Sequence, residues 1–242
     1  MTRRALVAQT RTELILTLRR GESLLVTFGI PLGVLVFFDA VRVVPTGFRH
    51  PIDFLVPGVL ALAVMSTAMV SLGIATAFER RYGVLKRLGS TPLGRGRLVT
   101  AKIVMVVALE LVQALLVVAV AAALGWSLTS RLLPAAGVML LGTIAFAGLG
   151  LLMAGTLRAE MTLAAANGLY LLLLLFGGMA FPLSKLPHAL ATVARAFPAA
   201  ALGDALRAML VHGRFDGGSV AVVTGWAIAL PVLAGWRFRW EE

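Results

Sequence analysis

Six long apolar stretches constrain this chain more than any other feature. They fall at about Ser23–Val41, Asp53–Phe78, Ile103–Leu124, Ala135–Leu157, Thr162–Phe181 and Gly218–Trp236. Each runs about 19 to 26 residues, enough for a helix rising 1.5 Å per residue to cross a hydrocarbon core of about 30 Å. An unpaired backbone amide or carbonyl is too costly in lipid, and no alternating strand pattern offers a barrel instead, so each stretch reads as a helix. Composition agrees. Only 14% of the 242 residues are charged and 60% are hydrophobic, whereas a soluble domain carries about 25% charged residues. The expected fold is all-α: one polytopic transmembrane domain over residues 1–242 with six transmembrane helices. The first stretch follows Arg19-Arg20 and has no small-x-small cleavage site near its end, so it reads as a retained span.

The net charge of +11 does not point to nucleic acid, because the basic residues are dispersed in short segments between the spans. Nineteen are Arg; the three Lys are Lys86, Lys102 and Lys185. With the N-terminus inside, fifteen basic residues fall in inner segments, including Arg3, Arg4, Arg80, Arg81, Lys86 and Arg87. Seven fall outside: Arg42, Arg49, Arg131, Lys185, Arg195, Arg207 and Arg214. The positive-inside rule then places both termini in the cytoplasm of a cell-membrane protein. Trp126, near the outer end of span three, and Trp236 and Trp240, at the inner end of span six, read as interfacial anchors.

Catalytic and metal chemistry find little support. The chain has no Cys, and His50, His188 and His212 are far apart and outside the spans. No G-x-x-x-x-G-K-[ST] phosphate cradle is present, and Gly94-Arg95-Gly96 is too short to be one. Glu110 is the one ionisable residue deep inside a span, with Gln113 at i+3. A group there must face protein or water and be paired or neutral. With Ser66 and Ser71 of span two, Glu110 and Gln113 form the candidate substrate path. The alternative function is an ion-coupled secondary transporter using Glu110 as its proton site, which the lack of a companion intramembrane carboxylate disfavours. Ala63, Thr67, Ser71 and Ala75 recur every four residues of span two, and span four carries Gly142, Gly148, Gly150 and Gly155. Such faces serve close helix packing within the chain, or a dimer interface or conduit. The apolar interior favours a hydrophobic or amphipathic cargo.

Three segments outside the spans carry more information than topology requires. The N-terminal stretch (residues 1–21) mixes five Arg with Leu and Val and suits an interfacial helix on anionic lipid. In the loop 79–98, Val84, Leu85 and Leu88 share a face of a short helix that Gly89 ends, and Thr91-Pro92 suits the start of the next helix. The connection 182–217 has two helical patterns. Leu183, Leu186, Leu190, Val193 and Phe197 form one; after Pro198, Leu202, Leu206, Met209 and Leu210 form the other. Asp204 and Arg207 pair on a different face. Gly177-Gly178 and Pro182 let span five end just before them.

In the order of these segments the chain resembles the membrane permeases of ATP-binding-cassette exporters of the type-2 family. The loop matches through Glu79, Arg80, Gly83, Lys86, Arg87, Leu88, Thr91, Pro92, Leu93 and Arg95. The outer connection matches through Phe181-Pro182, Leu186-Pro187, Pro198 and Asp204-Ala205-Leu206-Arg207. The resemblance implies a permease subunit of an ATP-driven exporter that moves a drug, antibiotic, lipid or lipid-linked glycan. It implies a dimer with a second copy or paralogue, two separate ATPase subunits that bind ATP and Mg, and contacts with membrane lipids. It implies that Glu79, Arg80, Val84, Leu85, Arg87 and Leu88 form the element that couples to the ATPase. No cofactor is expected in this chain.

Overall fold

The computed structural model describes residues 28–29, 31–37, 51–89, 95–127, 131–179, 182–185 and 187–240, with the side chains of residues 88, 95 and 184 outside that description. The N-terminal interfacial helix, most of the first predicted span and the Thr91-Pro92 step lie outside the described residues; of that span, 31–37 are helical and are called α1. The helices that follow are α2 (Pro51–Arg81), α3 (Val84–Gly89), α4 (Arg95–Ala123), α5 (Leu132–Thr156), α6 (Ala159–Phe176), α7 (His188–Arg195), α8 (Pro198–Leu210) and α9 (Gly217–Arg237). No strand occurs among the described residues. Five of these helices, α2, α4, α5, α6 and α9, are long and apolar enough to cross a membrane. They match the second to sixth predicted spans, most ends within about three residues; α4 begins eight residues before Ile103, and α6 stops at Phe176, five residues before Phe181.

Local sequence explains the boundaries. Asp216 caps α9, its carboxylate accepting from the Ser219 hydroxyl at 2.8 Å and the Ser219 amide at 3.4 Å. Leu157 and Arg158 are extended, which turns α5 back into α6 within two residues. Gly177 closes α6, and Gly178 takes φ +71°, a conformation in which a β-carbon is strained. Pro198 opens α8 and fixes a bend of 86° between α7 and α8, the two short helices expected there.

Helix α2 is the central element, buried along most of its length. Its middle, Met65–Ser71, is wound as a π-helix. The glycines of α5 explain how three neighbours approach it so closely. A β-carbon on Gly150 would stand 2.7 Å from the Met69 carbonyl oxygen of α2; on Gly148, 2.6 Å from the Pro231 nitrogen of α9; on Gly142, 2.7 Å from Leu202 of α8. Gly150 and Gly148 let backbones approach, and Gly142 makes room for the Leu202 side chain; close packing of this kind helps hold helices together in lipid. The span-two face is likewise used inside the chain: Ala63 and Thr67 are buried and Ser71 and Ala75 half-buried. The outward faces of α4, α6 and α9 are apolar, with Leu111, Leu115, Leu171, Leu172, Ile228 and Trp236 exposed, as a lipid-facing surface requires. Trp126 departs from its expected role as an anchor. It is 4% exposed, drawn into the core below the turn that Gly125 makes at φ +93°.

Candidate functional site

At one end of the bundle, Gly83 takes φ +69°, the left-handed turn that breaks α2 and starts α3. Tyr82 and Val84 are exposed there, with Lys86 and Arg87 beside them. Leu85 points the other way. It is 1% exposed and packs on Leu98 of α4 together with Phe238 and Trp240, whose rings meet edge-on at 5.0 Å. The expectation that Leu85 shares an outward face with Val84 is thus corrected: on so short a helix the residue after Val84 turns toward the bundle, and the chain's own C-terminal aromatics cover it. The Leu88 side chain lies outside the described residues.

Three contacts fix the end of α2 that carries this helix. Lys102 Nζ, almost fully buried on α4, lies 2.8 and 2.7 Å from the two Glu79 carboxylate oxygens. Arg80 donates from Nη2 to the Leu157 carbonyl at 2.5 Å, binding α2 to the α5–α6 reversal. Arg81 forms an ion pair with Glu160 at the start of α6. In the first, Lys102 is buried while the Glu79 side chain is 24% exposed, so the pair lies between a fully buried one, whose breaking costs about 3–5 kcal/mol, and an exposed one such as Arg81–Glu160, at about 0–1 kcal/mol. Arg80 is itself only 5% exposed, so it stabilises α3's base and is not on the outward surface where the sequence reading put it.

Mid-membrane, α4 is linked to both neighbours. Thr67 on the π segment donates to Gln113 Oε1 at 2.8 Å. Thr143 on α5 is hydrogen-bonded to Glu110 Oε2, and its hydroxyl also lies 3.0 Å from the Met139 carbonyl. Thr143 has one hydroxyl proton and two acceptors beside it. When Glu110 carries its own proton the chain closes, Glu110 donating to Thr143 and Thr143 to Met139. Both α4 groups are buried, at 5% for Glu110 and 2% for Gln113. Glu110 and Gln113 therefore bond outward to different helices and not to each other. Ser66 donates to the Ala63 carbonyl at 3.0 Å, and both Ser66 and Ser71 are half-buried. Neither serine bonds to Glu110 or Gln113 among the described residues, so the four proposed path residues are not joined into one site.

The opposite end is pinned by Arg207. It pairs with Asp204 at 2.9 Å, as its i, i+3 spacing suggested, donates to the Gly178 carbonyl at 3.0 Å, and stacks over the Phe54 ring with its guanidinium 4.4 Å from the centroid. One residue thus connects α8, the end of α6 and the start of α2. Sequence reasoning missed the partners Thr67, Thr143, Lys102, Leu157, Phe238 and Trp240. The charged pair flanking the loop, Glu79 and Lys102, was the one legible signal.

A bundle of long apolar helices, lipid-exposed on its flanks and carrying a short anchored helix at one end, defines a multi-pass membrane protein. The family model for the ABC-2 type transporter matches residues 4–211, most of the chain, and the chain belongs to that family: it is a membrane permease subunit of an ABC transporter and not itself the catalytic subunit. No curated protein matches it in sequence.

Proposed function

We propose that this permease exports a hydrophobic or amphipathic substrate. In this reading it is driven by two separate ATPase subunits that bind ATP and Mg, and it works as a dimer with a second copy or a paralogue. Both termini and α3 face the cytoplasm, and α7 and α8 lie on the outer side of the cell membrane. The observation that carries this reading is α3 with the turn before it: Tyr82 in the turn and Val84 and Arg87 on the helix are exposed, on a base held by Glu79, Arg80 and Arg81. An exposed apolar and basic tip on a braced mount suits a contact through which a partner moves the bundle. A push on α3 passes through Leu85 to α4 and the C-terminal aromatics, and through Glu79–Lys102 between α2 and α4. The substrate class rests on the largely apolar middle of the bundle, where Glu110 and Gln113 each bond to a neighbouring helix, while Glu110 Oε1 is buried without a hydrogen-bond partner. The same contacts favour a structural role for Glu110 over ion coupling.

Two measurements test the reading. Val84→Asp should leave insertion intact but abolish substrate-stimulated ATP hydrolysis by the co-purified ATPase. Full stimulation in that variant would remove α3 from the coupling path. For topology, the cysteine-free chain accepts single probes at the exposed positions Arg87 and Thr192. An impermeant thiol reagent on intact cells should label Thr192→Cys and spare Arg87→Cys; the reverse pattern would invert the orientation.

A further inference from the structure

The last turn of α9 sends its large side chains outward: Trp236 is 81% exposed, and Arg237 is exposed beside it. The backbone then leaves the helix. Phe238 is extended, with its amide still bonded to the Ala234 carbonyl at 2.8 Å. In extended chain, residues i and i+2 share a side. Phe238 and Trp240 accordingly turn inward together and are half-buried, while Arg239 between them stays exposed. The Arg239 amide donates to the Gly155 carbonyl at 3.1 Å, which ties this segment to the last turn of α5.

Gly155 is the seat for the segment. A β-carbon there would run into Phe238, 2.8 Å from its Cγ and 2.9 Å from its Cα. The ring therefore lies on the α5 backbone at a point where a methyl group has no room. Phe238 also meets Leu85 of α3 and Leu98 of α4, each 1% exposed. Those two leucines form a small cluster apart from the main core. Phe238 packs against both clusters, and Trp240 closes the small one. The end of α5 is thus gripped at two neighbouring carbonyls: Leu157 by Arg80 of α2, and Gly155 by the segment that underlies α3.

We propose that residues 238–240 are a strap that seats α3 on the end of α5, with Phe238 and Trp240 as positioning residues for that helix. A helix of six residues does not hold its place by itself, so what it packs on decides where its tip stands. The strap also gives a push on α3 a route to α5, and through the Gly148 and Gly150 contacts of α5 to α9 and α2. That second step rests on the reading of α3 as the coupling element; the seating of α3 does not.

The test reads amide hydrogen exchange by mass spectrometry on the full chain in nanodiscs, together with the ATPase that co-purifies with it. Phe238→Ala, Trp240→Ala and Gly155→Ala should each speed exchange across Val84–Gly89 by about tenfold, with the middle of α9 (223–230) as the unchanged reference. Gly155→Ala alters neither α3 nor the strap and acts by filling the seat. Trp240→Phe keeps an aromatic edge beside Phe238 and should exchange at the native rate. Native exchange at Val84–Gly89 in Phe238→Ala and Gly155→Ala overturns the strap, and so does equal acceleration of α3 and α9, which marks a general loss of stability. Added ATP and vanadate, which arrest the ATPase, should shift exchange at residues 150–157 in the native complex, and the strap variants should reduce that shift at least about threefold. If Val84→Asp keeps the shift, α3 is not the coupling element, while the first measurement still decides the strap. If Val84→Asp abolishes the shift and the strap variants keep it in full, the strap is overturned as the link to α5.

Discussion

Gly150 is where a single methyl group tests the packing most directly. Its ideal β-carbon would lie 2.7 Å from the Met69 carbonyl oxygen and 3.0 Å from that of Ala68, where ordinary contact begins at 3.4 Å. Both neighbours are backbone atoms of α2, and α2 is packed on its other sides, so no side chain can rotate away. To admit the methyl, α2 and α5 must separate by about 0.7 Å, and dispersion contacts along the shared seam weaken together. Overpacking of this kind costs about 1–3 kcal/mol, partly offset by about 0.5–1 kcal/mol from replacing a helical glycine with alanine. The net expectation for Gly150→Ala is a loss of about 1–2 kcal/mol. At about 2–4 °C per kcal/mol for a chain of this size, the melting temperature in detergent falls by roughly 2–8 °C. Gly137 provides the control on the same helix, since nothing lies within 4 Å of its β-carbon position. Gly137→Ala should melt at or slightly above the native temperature. Thiol dyes cannot follow the melt in a chain without cysteine, so tryptophan fluorescence or loss of the monodisperse chromatographic peak serves. If Gly150→Ala melts with Gly137→Ala, the close approach of α2 and α5 is wrong.

Glu110→Gln keeps a hydrogen-bonding group beside Thr143 and should retain assembly and most transport, whereas Glu110→Leu should lower stability by about 1–3 kcal/mol; a stable but inactive Glu110→Gln would place the carboxyl in the transport path. Lys102→Met leaves the partly exposed Glu79 carboxylate without its ammonium partner and should cost about 1–3 kcal/mol, with Glu79→Gln/Lys102→Met recovering part of it; a single variant as stable as the native chain would show that the pair does not hold α2 to α4. Asp216 lies outside the spans, and its carboxyl is held below the usual value chiefly by the Ser219 hydroxyl, with burial opposing. A lowered native pKa stabilises the fold above the unfolded value of about 3.9 and is lost as pH falls through the native one. Asp216→Ala should therefore cost about 0.5–2 kcal/mol near neutrality, and the difference from the native chain should shrink below about pH 4; a gap that stays constant with pH would show that the charge plays no part.

What the sequence made legible follows from which constraints are local. Span existence is local, because hydrocarbon thickness demands an apolar run wherever it is crossed, and α2, α4, α5, α6 and α9 were readable for that reason. The break at Pro198 and the end of α6 at Gly177-Gly178 were readable because those residues act on their own backbone. The Asp204–Arg207 pair was readable from its spacing on one helix. The fate of Leu85 was not, because what covers it is Phe238 and Trp240, roughly 150 residues further along the chain.

The polar groups inside the bundle show the same division. A buried carboxyl or amide states a demand: it must find a partner or leave the membrane core. Glu110 and Gln113 made that demand visible, and their i, i+3 spacing offered each as the other's partner. The fold instead supplies Thr143 from α5 and Thr67 from α2. Two residues on one helix cannot hold that helix to anything else, whereas two hydroxyls on two other helices fix α4 on both sides. Threonine is a poor signal for such a role in sequence, since within a span its hydroxyl usually returns to its own helix, as Thr156 and Thr224 do here. Only the arrangement of helices, which the glycines of α5 set by backbone contact, decides which threonine faces a neighbour. The packing of small residues and the pairing of polar ones are therefore a single problem in this bundle, and a change at Gly150 should be felt at Thr67–Gln113.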